Sequence, residues 1–337
     1  MTLHPVPTLA RSTPVADRNT LAERTWTPLS DDDLLALTAT VPRQYVHRAA
    51  VAEVFLTGWR ADGPDSFTVA AQWPRTHAFF TPVAGRLDPL LLAETVRQTG
   101  ALLAHAEYQV PFGHQFLLQS LSYSVTEEGL RIGATPADVE LKITCGDIAY
   151  RSGHLSRMRY HAVLLREGRP VAEAEAAFGC ASPAVYRRLR AGAPSKALPL
   201  PQALSPRAVG REHPQDVVLA AADRPGRWQL RADTTHPILF DHPVDHVPGM
   251  VLLEAARQAA HALHGASRRQ PPITMDSVFT RYVEFGSPCY IEAEHIHSAG
   301  PGPRVRVRGV QDGAESFSAT LTLWSPDGAQ GRRGGLL

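Results

Sequence analysis

Three polar side chains sit in the middle of a stretch that is otherwise built for burial. Residues 245–260 read DHVPGMVLLEAARQAA, and Glu254, Arg257 and Gln258 share one helical face at the i, i+3, i+4 spacing. The trio recurs in DPLLLAETVRQTG, residues 88–100, as Glu94, Arg97 and Gln98. A carboxylate in such a place can take a proton from a reacting hydroxyl, which makes Glu94 and Glu254 the candidate bases. The arginines offer a planar fork for an anion, or simply balance the adjacent glutamates. On an exposed helix a Glu–Arg pair at this spacing contributes only about 0.2–0.5 kcal/mol. In a buried helix each charge costs several kcal/mol to desolvate, so two retained sets point to use rather than to stability.

The start of each helix separates the copies. Gly249 opens the second helix with a free N–H at its positive end, a donor for a developing oxyanion. The first copy has Pro89 there, and proline has no N–H to give. His77, His236 and His246 stand in the loops before the helices, where each either shares in proton transfer or organises its loop. Asp245 is placed to orient His246 or to cap the helix. His236, His242, Asp245 and His246 match no strong metal-ligand spacing, so no metal is expected. Arg281, in TRYVEFG, is a further cation for a bound anion or a strand-edge residue. His105 and His114 read as capping or packing groups, and Cys289 as a buried thiol.

The elements that must position these residues also come twice. AEVFLTGW (52–59) resembles QDVVLAAA (215–222), RTHAFFTP (75–82) resembles TTHPILFDHP (234–243), and RMRYHAVLLREG resembles RVRVRGVQDG. Each copy runs from short strands through a His-containing loop to one long apolar helix and then long strands. Helices are expected at about 89–106 and 249–265, too apolar for a surface. VELKITCGDI, RMRYHAVLLREG and RPVAEAEAAFG alternate as strands, and REG and QDG are hairpin turns. One buried helix wrapped by an antiparallel sheet is the simplest architecture, so the expected fold is α+β, a double hot dog forming a pseudo-dimer. Its expected bounds are an N-terminal arm 1–44, a first domain 45–183, a linker 184–211, a second domain 212–326 and a loose tail 327–337. SDDDLLALT (30–38) reads as a short capped helix.

Composition excludes several classes. The chain has 337 residues, 44% hydrophobic and 20% charged, with net charge +1, so no global field favours nucleic acid or an anionic membrane. Three cysteines, Cys145, Cys180 and Cys289, without CxxC, argue against a disulfide framework and fit a reducing cytoplasm. No signal-peptide pattern is evident, and no apolar run approaches the roughly 20 residues of a membrane span. Lys142 and Lys196 are the only lysines, so positive charge is almost all arginine. The run RRLR (187–190) either meets an acidic partner or lies in a solvated linker.

The stretches VHRAAVAEVFLTGW, THAFF, DPLLLAETVRQ, PFGHQFLL, THPILF, DHVPGMVLLEAARQAA and RYVEFGSPCY, in order over about residues 45–326, resemble the A-factor synthase family of γ-butyrolactone signal biosynthesis. The resemblance implies transfer of a β-ketoacyl group from an acyl carrier protein thioester to the hydroxyl of dihydroxyacetone phosphate. The ester then condenses to a phosphorylated butenolide. No cofactor is implied beyond the phosphopantetheine carried by the substrate. For that reaction something cationic must hold the phosphate, so Arg97 and Arg257, with Arg281 a third option, are the phosphate candidates, and Gln98, Gln258, His77 and His236 are expected beside the substrate. More weakly, Pro248, Gly249 and Glu254 resemble the hot dog dehydratases of acyl carrier protein substrates, although HPILFDHPVDHVPG departs from their His-Phe-Pro pattern. In related hot dog dimers the helix N-terminus and the acid come from different subunits. That analogy pairs Gly249 with Glu94, the preferred base, and Pro89 with Glu254. A dehydratase, a thioesterase and a non-catalytic acyl-ligand sensor remain the alternatives.

Overall fold

The computed structural model describes residues 39–192, 198–265, 270–297 and 302–325. The expected capped helix at 30–38 and the tail at 327–337 lie outside these residues.

The first half supplies β1 (Leu56–Gly63), β2 (Ser66–Trp73), helix α1 (Leu90–Ala106), β3 (Gln115–Val125), β4 (Ala137–Arg151), β5 (His154–Arg166) and β6 (Arg169–Ala181). A short helix α2 (Pro183–Leu189) follows. The second half repeats the order with β7 (Leu219–Ala221), β8 (Arg227–Leu230), α3 (Gly249–His264), β9 (Pro272–Phe279), β10 (Cys289–Ile296), β11 (Arg304–Gln311) and β12 (Ala314–Leu323). The strands form one antiparallel sheet in the order β1-β2-β4-β5-β6-β3-β9-β12-β11-β10-β8-β7. Each half has the same internal order, and the halves join where β3 pairs β9, with Leu121 opposite Ser277 and Tyr123 opposite Met275. The result is the expected double hot dog, with a pseudo-twofold axis through the β3–β9 seam.

The local chemistry explains the elements. The β5–β6 turn places Glu167 and Gly168 at φ 53° and 72°, and the β11–β12 turn places Asp312 and Gly313 at 50° and 76°. Two consecutive positive φ values suit the right-handed twist of a hairpin, which is why glycine stands second in each. The sheet wraps α1 and α3, and Leu90, Leu91, Leu92, Leu102 and Leu103 of α1 are fully buried. α3 ends on Gly265 at φ 64°, whose N–H bonds the His261 carbonyl at 3.0 Å. Among the described residues no helix is long and apolar enough to cross a membrane.

Both ends of the expected linker are structured. Its first residues form α2, capped by Ser182, and its last, Arg211, is buried in the second half.

Candidate active site

Glu94 has no exposed surface. Its Oε1 accepts from Arg48 Nε at 2.9 Å, from Arg97 Nη2 at 2.7 Å and from Gln98 Nε2 at 2.8 Å, and Arg48 Nη2 makes an ion pair with it at 2.6 Å. Its Oε2 accepts from Arg97 Nε at 2.9 Å. Gln98 is fixed in turn, accepting the Phe55 N–H at 3.0 Å and donating to the Glu53 carbonyl at 2.7 Å. Burial pushes the Glu94 carboxyl upward, but the Arg48 and Arg97 charges outweigh it and hold it at about 2.

The second half repeats this cluster. Glu254 accepts from Arg211 Nε at 2.7 Å, and from Gln258 and Arg257. Gln258 accepts the Val218 N–H at 3.0 Å and donates to the Asp216 carbonyl at 2.7 Å. Arg48 and Arg211 follow 3-10 turns at Arg43–Val46 and Pro206–Val209, each through one left-handed residue, His47 or Gly210. Each arginine also crosses the pseudo-twofold axis. Arg48 donates to the Ile238 carbonyl at 3.2 Å, and Arg211 to the Phe79 carbonyl at 2.7 Å.

The two sites then diverge. Beside Arg97 lies a cavity of about 480 Å³. His47, Arg48 and Arg97 line it from the first half, and His246, Gly249, Met250 and Arg281 from the second. Phe116, Leu117, Leu118, Tyr160 and Phe178 give it an apolar wall. The Gly249 and Met250 N–H groups at the start of α3 have no backbone acceptor among the described residues. Arg97 clasps Glu94 through Nε and Nη2, and Nη2 also reaches the Val46 carbonyl, while Nη1 has no protein partner among the described residues.

The mirror cavity is only about 20 Å³, the room of about one water. There Arg257 Nη1 is held by Asp88 Oδ2, and Asp88 Oδ1 accepts the Leu90 N–H at the start of α1 at 2.9 Å. One carboxylate of the chain therefore occupies both anion-binding features, the arginine and the helix N-terminus. Burial raises the Asp88 carboxyl, but Arg257 and Arg211 outweigh it and hold it below the usual range. Pro248 stands where the repeat has Asp88, so both features stay open beside Gly249.

The remaining expected site residues fall into two groups. Arg281 lines the cavity and is exposed. His246 lines the cavity, with Nδ1 2.8 Å from Asp245 and 3.3 Å from the Tyr186 hydroxyl. Burial lowers its pKa, against the pull of Asp245. His77 and His236 do not line the cavity. Each accepts two loop N–H groups at Nδ1, from Phe79 and Phe80 or from Ile238 and Leu239. Each Nε2 faces a buried acid at 3.3 Å, Glu53 or Asp216. Their expected place beside the substrate is corrected: they are loop organisers with both ring nitrogens engaged. Gln98 and Gln258 are likewise tied to backbone and are not on the cavity wall. His236, His242 and His246 each face a different carboxylate, Asp216, Asp241 and Asp245.

Sequence reasoning missed Arg48, Arg211 and the closing role of Asp88. A signal existed: YVHR (45–48) and AVGR (208–211) extend the repeat upstream by a shared Val-X-Arg. Arg190 of the RRLR run is also not free, since it pairs with Asp245 at 3.0 Å and with Glu284, and stacks on Tyr282.

The geometry can be set beside known proteins. The A-factor biosynthesis hotdog domain matches residues 29–182 and 192–323. A 2-oxo-3-(phosphooxy)propyl 3-oxoalkanoate synthase of Streptomyces virginiae is 54% identical over 289 residues, 85% of this chain and 98% of that one. The protein of the same name from Streptomyces coelicolor is 41% identical over 302 residues, 87% of this chain and 95% of that one. Among solved structures, a 12:0-ACP thioesterase from Umbellularia californica superposes with a TM-score of 0.47 at 10% identity, over 76% of this chain and 94% of that one. By sequence over most of its length, this chain belongs to the A-factor biosynthesis hotdog family.

Proposed function

We propose that this protein is an acyltransferase making a 2-oxo-3-(phosphooxy)propyl 3-oxoalkanoate. It moves a β-ketoacyl group from an acyl carrier protein thioester to the hydroxyl of dihydroxyacetone phosphate, and the ester condenses to a phosphorylated butenolide. One observation carries the reading. Arg257 Nη1 and the α1 N-terminus are filled by Asp88, whereas the matching Arg97 Nη1 and α3 N-terminus open on one cavity. Two anion-binding features that the protein leaves open to one cavity suit a reaction with a phosphate to hold and an oxyanion to stabilise.

In this reading Arg97, helped by Arg281, takes the phosphate, and the Gly249 and Met250 N–H groups face the thioester oxyanion. The apolar wall receives the acyl chain. Glu94 is not the base expected from its type and spacing. It lies behind Arg48 and Arg97 rather than on the cavity wall, it already accepts four hydrogen bonds besides a further ion-pair contact with Arg48, and it stays ionised down to about pH 2. Its work is to hold the two arginines in place. Glu254 does the same in the closed half for Arg211 and Arg257, which therefore meet no substrate. His246, on the cavity wall and held at Nδ1 by Asp245, accepts from the pantetheine arm. The reaction calls for no cofactor of the protein's own, and a thioester carried on acyl carrier protein suits a protein of the cytoplasm.

The test is to incubate purified protein with a β-ketoacyl thioester, with and without dihydroxyacetone phosphate, and weigh the products by mass spectrometry. The reading requires a phosphorylated ester or butenolide only when both are present. Free acid without the acceptor would make the protein a thioesterase, and unchanged thioester in both tubes would make it a sensor.

A further inference from the structure

We infer that His47 is the general base that takes the acceptor's hydroxyl proton. The inference rests on the acyltransfer reading above and assigns the role Glu94 cannot fill.

His47 adopts a left-handed backbone, φ 54° and ψ 52°, which costs a non-glycine residue energy and is kept where the position matters. The repeat has Gly210 there, at φ 69°. The exchange is reciprocal across the pseudo-twofold. A Cβ on Gly210 would come within 3.1 Å of the His261 ring in α3. The matching position in α1 is Ala101, which lines the open cavity with His47. Thus the closed half places its histidine on the helix, and the open half places one on the loop, against the cavity.

Hydrogen bonding fixes the tautomer of that ring. His105 Nδ1 lies 2.6 Å from the Val110 carbonyl, which can only accept, so Nδ1 carries the proton. The neutral His105 ring then presents a lone pair at Nε2, 2.8 Å from His47 Nε2. His47 Nε2–H must donate into it, and the lone pair of His47 falls on Nδ1. That atom has no protein partner among the described residues, on a side chain that lines the cavity. The ring stacks on Phe116 with centroids 4.7 Å apart, which holds its plane. Burial, then Arg97, His105 and His242, lower the His47 pKa to about 3, so the ring is neutral and available. A phosphate dianion seated on Arg97 offsets the charge that lowers His47 most after burial itself, and makes His47 a stronger base. The proton acceptor is thereby weak toward water in the empty site and strengthened once the acceptor is bound.

The step balances without a co-reactant. The hydroxyl oxygen bonds the thioester carbonyl carbon as its proton passes to His47 Nδ1, and the carbonyl oxygen becomes an oxyanion before the Gly249 and Met250 N–H groups. Collapse re-forms the C=O bond and breaks C–S. The departing thiolate takes the proton back from His47.

The experiment uses the full chain with a β-ketoacyl thioester and dihydroxyacetone phosphate, and compares wild type with His47→Asn, His47→Gly and His246→Asn. Asn and Gly both tolerate the left-handed backbone, so each variant should fold. His47→Asn should lower kcat by about 10²–10⁴-fold with KM for both substrates within about threefold. Free imidazole should restore a saturable part of the activity of His47→Gly, whose missing side chain leaves room for it. His246→Asn should change KM for the thioester more than kcat. A His47→Asn enzyme whose kcat stays within about fivefold of wild type, or a loss confined to KM, overturns the assignment while wild-type turnover leaves the acyltransfer reading standing. A wild type that forms no ester overturns both.

Discussion

Replacing Glu94 by Gln separates an anchor from a base. Gln keeps the shape but removes the charge that faces Arg48 and Arg97. Those two cations are then left close together without their shared carboxylate, and breaking a buried ion pair in this way costs about 3–5 kcal/mol. A second route gives a similar size. The Glu94 carboxyl lies at about 2 against an ordinary 4.5, a gap that corresponds to about 3 kcal/mol of folding stability. The sign follows from the depression of an acid. The contribution is complete above the ordinary carboxyl range and is lost as pH falls from about 4.5 through about 2. Urea unfolding of wild type and Glu94→Gln at pH 7 should therefore differ by about 3 kcal/mol, with unchanged m-value. The gap should narrow when both are compared below pH 4.5. A Glu94→Gln protein within about 1 kcal/mol of wild type at pH 7, inactive but equally stable, would refute the anchor and restore Glu94 as a base.

Two further substitutions probe the site and its frame. Gly249→Pro removes the helix-opening N–H where the twin helix already carries Pro89, and should lower kcat by about 10²–10³-fold, while Gly249→Ala, which keeps the N–H, should stay much closer to wild type in steady-state assays. Gly100→Ala should destabilise by about 1–3 kcal/mol in chemical unfolding, because its Cβ would lie 2.9 Å from the Tyr160 hydroxyl and 3.0 Å from Phe178.

What the sequence showed and hid follows from range. The repeat, the two buried helices and the Glu-X-X-Arg-Gln spacing are local patterns, and so is the contrast of Gly249 with Pro89. Those patterns led to a double hot dog with one unequal pair of sites. The partners of Glu94 and Glu254 are not local. Arg48 and Arg211 come from irregular 3-10 segments with no periodicity to mark them, and each meets its glutamate only once the half has folded. For that reason the glutamates looked like unpaired bases. Asp88 could be seen as a helix-start residue, but its second bond, to Arg257 across the halves, could not. His77 and His236 gave a misleading signal, because a histidine that binds two loop amides has the same sequence context as one that binds substrate. The Arg- and Pro-rich segment after β6 hid α2 and the seat of Arg190 for the same reason: Arg190 is held by Asp245, Tyr282 and Glu284, all distant in sequence.

The central claim is that chemistry occurs at the Arg97 cavity and not at its closed twin. Arg97→Met and Arg257→Met test it as a pair, in initial rates of ester formation against dihydroxyacetone phosphate concentration. Loss of a charge-assisted contact of about 1.5–3 kcal/mol predicts that Arg97→Met raises KM for the acceptor roughly 10- to 150-fold. Arg257→Met, measured below its own unfolding temperature, should keep the wild-type KM and kcat. The opposite result, an unaffected Arg97→Met and an Arg257→Met that no longer saturates with acceptor, would contradict the account.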